Sequence, residues 1–256
     1  MIDDSRGTTI LRIQAIRWGM VALFLAFWQW KGSASETAHF FYSTPLEVVS
    51  RLWQELSSGT LLSDTGVTCE EVLLGSCAGL LAGFVLGLLF WWFESFGRAA
   101  RPLIFGLATI PVFAVAPLLV FWFGVDLGGK VVVVALSVVF ICLLATYQAA
   151  RQIEDDYHEV AHTFHASRLE VFRRLVLKGS ILIASSSYRL ALIFGFIGAF
   201  IAEIISSSRG LGHFIQRSSG LYDVTGILVG LTVFIVCALA VNLLLEQADR
   251  SLSRWR

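Results

Sequence analysis

The sequence predicts an all-α integral membrane protein, and two observations carry that prediction. Hydrophobic residues make up 56% of the 256 residues and charged residues only 15%, with a mean hydropathy of +0.75. Several uncharged apolar runs also reach the length of about 20 residues that an α-helix needs to cross a bilayer. The composition therefore indicates a multi-pass helical membrane protein and excludes an ordinary soluble domain.

We predict six transmembrane helices in a single membrane domain that covers residues 1–256. The apolar runs place the spans at about residues 13–30, 72–93, 102–124, 131–150, 182–204 and 224–245. The first span is the weakest, because it is long enough only if Arg17 reaches back to the lipid headgroups. A cleaved signal peptide is the alternative for this segment, since Ser33-Ala34-Ser35 fits a cleavage site.

The distribution of basic residues predicts the orientation in the membrane. With six spans, fourteen of the 19 lysines and arginines lie on the side of the two termini and five on the other side. Cytoplasmic loops carry an excess of Lys and Arg. Both termini, and the polar loop at residues 151–178, are therefore expected in the cytoplasm.

This polar loop has the pattern of a short helix, a tight break and a second helix. Asp156 with Glu159, and Ser167 with Glu170, each fit a helix N-cap followed by an acid three residues later. Such an ordered loop between two membrane-length runs predicts a docking surface on the cytoplasmic side.

Four glycines in the second predicted span, Gly75, Gly79, Gly83 and Gly87, recur every four residues. They lie on one helix face, where a neighbouring backbone can approach closely. Packing within the chain is the favoured explanation, and a subunit interface is the alternative.

The third predicted span contains two prolines, Pro111 and Pro117, each of which removes a backbone donor and disturbs a helix. Disturbed helices in lipid usually face protein or a water-lined path. Pro111, Phe113 and Pro117 are therefore candidates for the translocation path or its gate, and a kink that only shapes packing is the alternative.

Glu203 lies at the end of the fifth predicted span. Placing an ionisable side chain near membrane depth costs free energy, so such a residue is expected to have a role. A structural role, capping loop amides or pairing with a basic residue, is favoured. Gating or contact with a solute is the alternative.

Between the first two spans, Thr44-Pro45-Leu46-Glu47 has the pattern of a helix start. The residues after it predict a short amphipathic helix with Val48, Val49, Leu52, Trp53 and Leu56 on one side.

Nothing in the sequence predicts a catalytic or metal site. The four cysteines are single and lack metal or redox spacing. The segment from Gly124 to Lys130 matches most of a phosphate-binding loop, but the next residue is Val131 where Ser or Thr must hold magnesium. His158, His162 and His165 are interpreted as solvated residues of the docking loop, and a regulatory metal or pH effect is the alternative.

These motifs together resemble the permease subunits of bacterial type I ABC importers, in the nitrate, sulfonate, taurine and bicarbonate branch. The resemblance covers about residues 15–245. The segments that carry it are Thr44-Pro45-Leu46-Glu47-Val48, Ile110-Pro111, the run 117–124, Glu159-Val160-Ala161 for the family's Glu-Ala-Ala, Ala166-Ser167-Arg168, the run 172–177, Ala202-Glu203 and Ser207-Ser208-Arg209-Gly210-Leu211-Gly212.

Three positions depart from the family pattern. His165 stands where the family has a glycine that allows the chain to turn with a positive φ. Lys178 stands where proline is usual, and Ser187 precedes Tyr188-Arg189 where Gly-Leu-Arg is usual. We expect the fold to survive these changes.

The resemblance implies the type I importer permease fold with a cytoplasmic coupling helix from about residue 156 to 164. The residues implied in coupling to the ATPase are Asp156, Glu159, Val160, Ala161, Phe164, His165, Ala166 and Ser167. In the family's transporters, the permease pairs with a second permease copy and with two cytoplasmic ABC ATPases. An extracytoplasmic solute-binding protein delivers the substrate. This chain would then be no enzyme, would hold no cofactor itself and would bind no nucleic acid, since ATP and magnesium belong to the ATPase.

The same resemblance places the chain in the bacterial inner membrane, surrounded by lipid, and implies a small anion such as a sulfonate, nitrate or bicarbonate as the transported solute. Two other functions stay open: a secondary transporter or channel that works alone, and a permease-like scaffold or sensor. The first would be expected to carry ionisable groups inside its spans. Apart from Arg17 in the first span, only Arg189 and Glu203, near the ends of the fifth span, are charged residues within the predicted spans.

Overall fold

The computed structural model describes the backbone of residues 3–253, and the side chains of that range apart from 3–11, 158–162, 185–186, 245 and 248–253. Every regular element in this part of the chain is a helix. In order they are α1 Asp3–Gly32, α2 Glu36–Tyr42, α3 Pro45–Ser58, α4 Thr60–Trp92, α5 Glu94–Ala108, α6 Val112–Phe123, α7 Leu127–Thr163, α8 Arg168–Val171, a π-helical segment Phe172–Val176, α9 Leu177–Ser206, α10 Leu211–Gly220 and α11 Val224–Ser253. The all-α prediction is confirmed.

Among the described residues, four helices are long and apolar enough to cross a membrane: Thr60–Trp92, Leu127–Tyr157, Ser187–Ser206 and Val224–Leu244. A fifth span results if α5 and α6 count together. The predicted first span, residues 13–30, lies within α1 but is not one of these helices. The count of six spans therefore stays a prediction.

The third predicted span, residues 102–124, is disturbed at Pro111 as the sequence predicts, and it consists of the last part of α5 followed by α6. The axes of α5 and α6 differ in direction by 93° across the break at residues 109–111. Pro111 has no backbone N–H and disfavours a helical residue before it, so it becomes the N-cap of α6. Pro117, in contrast, lies inside α6 without ending it.

The described residues form two compact units. One contains the chain up to Leu62 together with Phe214–Thr232, and the other contains Ser63–His213 with the residues from Val233 onward. The prediction of a single domain over residues 1–256 stays a prediction.

In the first unit, α3 begins where the sequence predicts. Thr44 accepts a hydrogen bond from the amide of Glu47, Pro45 is the first helical residue, and Gly59 ends the helix with φ 79°. The apolar residues do not share one environment, however: Val48 is buried, whereas Val49 and Trp53 are 64% and 74% exposed. The five apolar residues share one side of the helix, and part of that side is left uncovered by the chain.

The second unit contains α7, α9 and most of α4, and its core is built on α7 and α9. One buried cluster packs Phe196 and Ala199 of α9 against Val72 of α4 and Val134 of α7. The glycines of α4 allow the close approach to α7, because a Cβ added at Gly75, Gly79, Gly83 or Gly87 would lie less than 3 Å from atoms of α7. The four glycines thus pack within this chain.

Candidate functional site

The polar loop at residues 151–178 does not begin a new helix at Asp156. Helix α7 continues without a break from Leu127 to Thr163, so the interpretation of Asp156 as an N-cap is wrong. The residues around position 151 include neither Gly nor Pro, and Arg151 pairs with Glu154 one turn later at 3.4 Å. The predicted coupling helix is therefore the last two turns of a membrane-length helix.

The break and the second helix lie where the sequence predicts them. His165 has φ 50°, the left-handed conformation expected from the glycine of the family pattern. Ser167 then caps α8 with a reciprocal pair: its hydroxyl accepts from the amide of Glu170, and the Glu170 carboxylate accepts from the amide of Ser167. These bonds lower the pKa of Glu170 below its ordinary value.

The predicted coupling residues fall into two groups. Asp156, Phe164, His165, Ala166 and Ser167 are all exposed, and the Phe164 side chain is 79% exposed. The side chains of Glu159, Val160 and Ala161 lie outside the described residues. An exposed aromatic ring beside a polar turn is the kind of group that a partner protein buries as an anchor.

A stack of side chains, which was not predicted from the sequence, holds this loop against the end of α4. The Arg168 guanidinium lies over the rings of Trp91 and Trp92, 5.6 and 5.4 Å from their centroids. Arg168 also donates a 2.6 Å hydrogen bond to the carbonyl of Trp92. Phe172 stacks on Trp91 at 5.8 Å. We refer to Trp91, Trp92, Arg168 and Phe172 as the Arg168 stack.

The stack is tied to α7 as well, because the Trp91 indole N–H donates to Glu154 Oε2 at 2.9 Å. The π-helical segment Phe172–Val176 begins at the ring that joins the stack, and such segments recur at functional sites. Two adjacent tryptophans at the end of a span, with an arginine after the loop, were the sequence signal for this contact.

Pro111 and Phe113 line a cavity of about 540 Å³ at the α5–α6 break. Its wall is almost entirely apolar and contains no ionisable side chain among the described residues. Besides these two, the lining residues are Leu107, Ala108, Thr109, Ile110, Val112, Val115, Leu136, Ser137, Phe140, Ile141, Leu144, Phe194, Ile197 and Ile201. Pro117 and Glu203, the other two predicted path residues, do not line it.

A second cavity, of about 550 Å³, lies beside the coupling loop. Asp156 is part of its wall, which is polar and carries charges of both signs. The other lining residues are Arg98, Arg101, Tyr147, Gln148, Arg151, Gln152 and Asp155. This cavity and the apolar one lie at different levels along α7.

Glu203 lies in a buried polar cluster that we name the loop anchor and define as Asp64, Thr68, Glu71, Lys130 and Glu203. Its members come from α4, α7 and α9, at the end of α7 opposite the coupling loop. Thr68 Oγ1 donates to Glu203 Oε1 at 2.6 Å, and Lys130 Nζ donates to Glu71 Oε1 at 2.7 Å.

The loop anchor binds three consecutive backbone amides at the start of α10. Asp64 Oδ1 accepts from Gly210 at 3.0 Å, Thr68 Oγ1 accepts from Leu211 at 2.9 Å, and Glu203 Oε2 accepts from Gly212. Glu203 therefore caps a loop amide, which is the structural role favoured from the sequence. Asp64, Thr68, Glu71 and Lys130 were not predicted, although the first three recur at helical spacing ahead of an apolar run.

Residues 76–255 match the family described as binding-protein-dependent transport system inner membrane component. The chain is 32% identical to the riboflavin transport system permease protein of Chloroflexus aurantiacus, over 91% of this chain and 87% of the relative. It is 27% identical to the formylaminopyrimidine transport permease protein of Halalkalibacterium halodurans, over 85% and 86%.

A putative aliphatic sulfonates transport permease protein of Bacillus subtilis is 24% identical over 92% of this chain and 85% of its own length. Among solved structures, a chain of the MetNI methionine ABC transporter in an inward-facing conformation superposes with a TM-score of 0.67. The match covers 77% of this chain and 98% of that chain at 13% identity, which supports the fold alone.

Proposed function

The chain belongs to the family of binding-protein-dependent transport system inner membrane components, as the permease subunit of an ABC importer. We propose how it couples to an ATPase, which solute it carries and how it is oriented in the membrane. It is a multi-pass protein of the inner membrane.

The coupling loop is the surface that receives the ATPase, and the Arg168 stack is the observation that carries this assignment. An ATPase can move the permease only if the loop it holds is rigidly joined to the spans. Arg168 and Phe172 join the loop to α4, while Glu154 joins the stack to α7. Phe164, exposed at the turn, enters the groove of the ATPase as the anchor.

ATP binding and hydrolysis occur on two separate ATPase subunits, which hold the nucleotide and magnesium. This chain acts as a homodimer and holds no cofactor of its own. An extracytoplasmic binding protein delivers the solute, and both termini and the coupling loop face the cytoplasm. The excess of basic residues on the side of the coupling loop supports this orientation.

The path passes the cavity at the α5–α6 break, where Pro111 and Phe113 form part of the wall. A backbone interrupted at membrane depth is expected where it lines a passage rather than where it faces lipid. A small anion remains the solute proposed from the family branch, with specificity residing in the binding protein.

The wall of this cavity favours a second class of solute, neutral and flat organic molecules. It offers the rings of Phe113, Phe140 and Phe194 and, among the residues that the structure describes, no cation. A bare anion would lose its hydration there without a charged partner. The names of two relatives, which refer to riboflavin and a formylaminopyrimidine, agree with this second class.

The first experiment is co-purification of the tagged full-length chain from its own membrane in mild detergent. Recovery of an ABC ATPase with the wild-type chain is expected. Phe164→Ala should weaken that association about 10- to 100-fold, because truncation of an aromatic anchor costs about 2 kcal/mol or more. Phe41→Ala is the matched control, since that ring is also exposed, at 62%, but lies in α2.

Wild-type chain recovered without an ATPase would contradict the importer proposal and favour a transporter or scaffold that works alone. Equal recovery with Phe164→Ala and wild type would contradict the coupling assignment only. The binding protein found beside the ATPase then decides the solute class, by measuring its affinity for an aliphatic sulfonate and for a flavin or pyrimidine.

A further inference from the structure

The loop anchor contains more buried acid than its buried base can neutralise. Glu71 and Glu203 are 0% and 1% exposed, and Asp64 is 7% exposed. Lys130, itself 7% exposed, forms an ion pair with Glu71 and is the one cation of the loop anchor. Three ionised carboxylates would therefore leave two negative charges uncompensated in a buried site, which is costly.

The hydrogen bonds of Glu71 show where the excess charge is concentrated. Its Oε1 accepts from Lys130 Nζ, but its Oε2 is buried and no donor of the described residues reaches it. The carboxyl group of Glu203 lies within hydrogen-bonding reach of Glu71. A second carboxyl group beside an unpaired acceptor can donate a hydrogen bond to it if that group carries a proton.

We propose that Glu71 and Glu203 form a buried proton-binding site in which Glu203 carries the proton and donates it to Glu71. Two carboxylates in contact cannot both ionise in a buried site, and Lys130 keeps Glu71 as the ionised member. The proton then completes the network: Glu203 still accepts from Thr68 and Gly212 and now also donates to the orphaned oxygen.

This proton site holds the loop that precedes α10. The amides of Gly210, Leu211 and Gly212 donate hydrogen bonds to the loop anchor. Ser207 accepts a 2.7 Å hydrogen bond from Lys130. Loss of the proton would put two like charges in contact beneath these amides. Glu71, Lys130 and Glu203 are thus positioning residues for a loop at the end of the spans opposite the coupling loop.

The direct test is the infrared spectrum of the full-length chain in lipid nanodiscs at neutral pH. A protonated carboxyl group has a carbonyl stretch that is resolved from that of a carboxylate and shifts in deuterated water. The wild type should show this band and Glu203→Gln should lose it. The matched control is Glu70→Gln, because Glu70 neighbours Glu71 on α4 but is exposed; the band should persist there.

Thermal unfolding as a function of pH gives a second readout of the proton. A proton held in the folded state and released on unfolding makes the unfolding equilibrium constant rise with pH, by up to about tenfold per pH unit. The other charged groups around the pair are Asp64, Glu70 and Lys130. The rise should be absent in Glu203→Gln, whose amide is neutral at every pH and can donate to Glu71.

Limited proteolysis reports on the loop itself, because Arg209 is exposed between residues that the anchor holds. Trypsin should cut after Arg209 faster in Glu203→Ala than in wild type, and Glu203→Gln should resist as wild type does. A wild-type spectrum without the carboxyl band, or a band unchanged by Glu203→Gln, would overturn the proposal. Neither result bears on co-purification with an ATPase, so the proposed function is tested separately.

Discussion

Two residues decide the local geometry at opposite ends of the described spans. His165 adopts φ 50° at the turn of the coupling loop, which a non-glycine residue does at some energetic cost. Gly210 has φ 114°, and a Cβ there would collide with the Glu203 carboxyl group. The first position tolerates a side chain because the turn is exposed, whereas the second cannot because it is buried against the loop anchor.

This difference predicts the effect of Gly210→Ala. The added methyl group meets both an unfavourable φ and the Glu203 carboxyl group, so the variant should lose about 1 to 3 kcal/mol of stability. Chemical or thermal unfolding of the full-length chain measures it. Gly128→Ala is the control, because nothing lies within 4 Å of a Cβ at Gly128; equal effects of the two changes would contradict the explanation.

A second residue-scale prediction concerns Arg168. Arg168→Lys keeps the charge but loses the planar group that lies over both tryptophans and bonds the Trp92 carbonyl. We expect about 1 to 2 kcal/mol less stability and a fall in ATP hydrolysis stimulated by the binding protein, with the ATPase still bound.

The control for that prediction is Arg173→Lys, since Arg173 is exposed on the π-helical segment. It should leave both stability and stimulated hydrolysis unchanged. If Arg168→Lys behaves like this control, the stack does not transmit the movement of the ATPase.

At the scale of elements, α4 and α7 are both longer than the apolar pattern predicts. The predicted span begins at residue 72, whereas α4 begins at Thr60. Asp64, Thr68 and Glu71 continue the helix because their partners lie on α7, on α9 and at the start of α10. Helix α7 likewise runs past its apolar run to Thr163, because no residue there breaks it.

The contact between α4 and α7 depends on the absence of side chains at the four glycines. Gly83→Ala would place a Cβ 2.6 Å from the carbonyl oxygen of Val139, and overpacking of this kind costs about 1 to 3 kcal/mol. Gly66→Ala, on the same helix with nothing within 4 Å, should instead stabilise by up to about 1 kcal/mol, because alanine is the better helix former. Unfolding midpoints of the two variants should therefore shift in opposite directions.

At the scale of the whole molecule, the testable property is the orientation of the chain across the membrane. The positive-inside pattern predicts that the coupling loop faces the cytoplasm and that the loop before α10 faces outward. Cysteines introduced at the exposed positions Arg173 and Ser208, after replacement of the four native cysteines, should react with a membrane-impermeant thiol reagent from opposite sides. Labelling of both from one side would contradict this topology.

The sequence by itself determined the helical membrane class, the family, the Ser167–Glu170 cap, the turn at His165 and the break at Pro111. Each of these depends on local information: apolar run length, a capping pair three residues apart, or the missing N–H of proline. Such features involve residues close together in the chain, so their physical chemistry can be evaluated without knowing the fold.

Only the tertiary structure decided the Arg168 stack, the loop anchor, and the separation of Glu203 from the apolar cavity that contains Pro111 and Phe113. Thr68 and Glu203 are 135 positions apart, and Trp91 and Arg168 are 77 apart. A polar residue near membrane depth signals that a partner must exist, because burying it alone is too costly. Which partner satisfies it depends on how the helices pack, and that is a property of the folded chain.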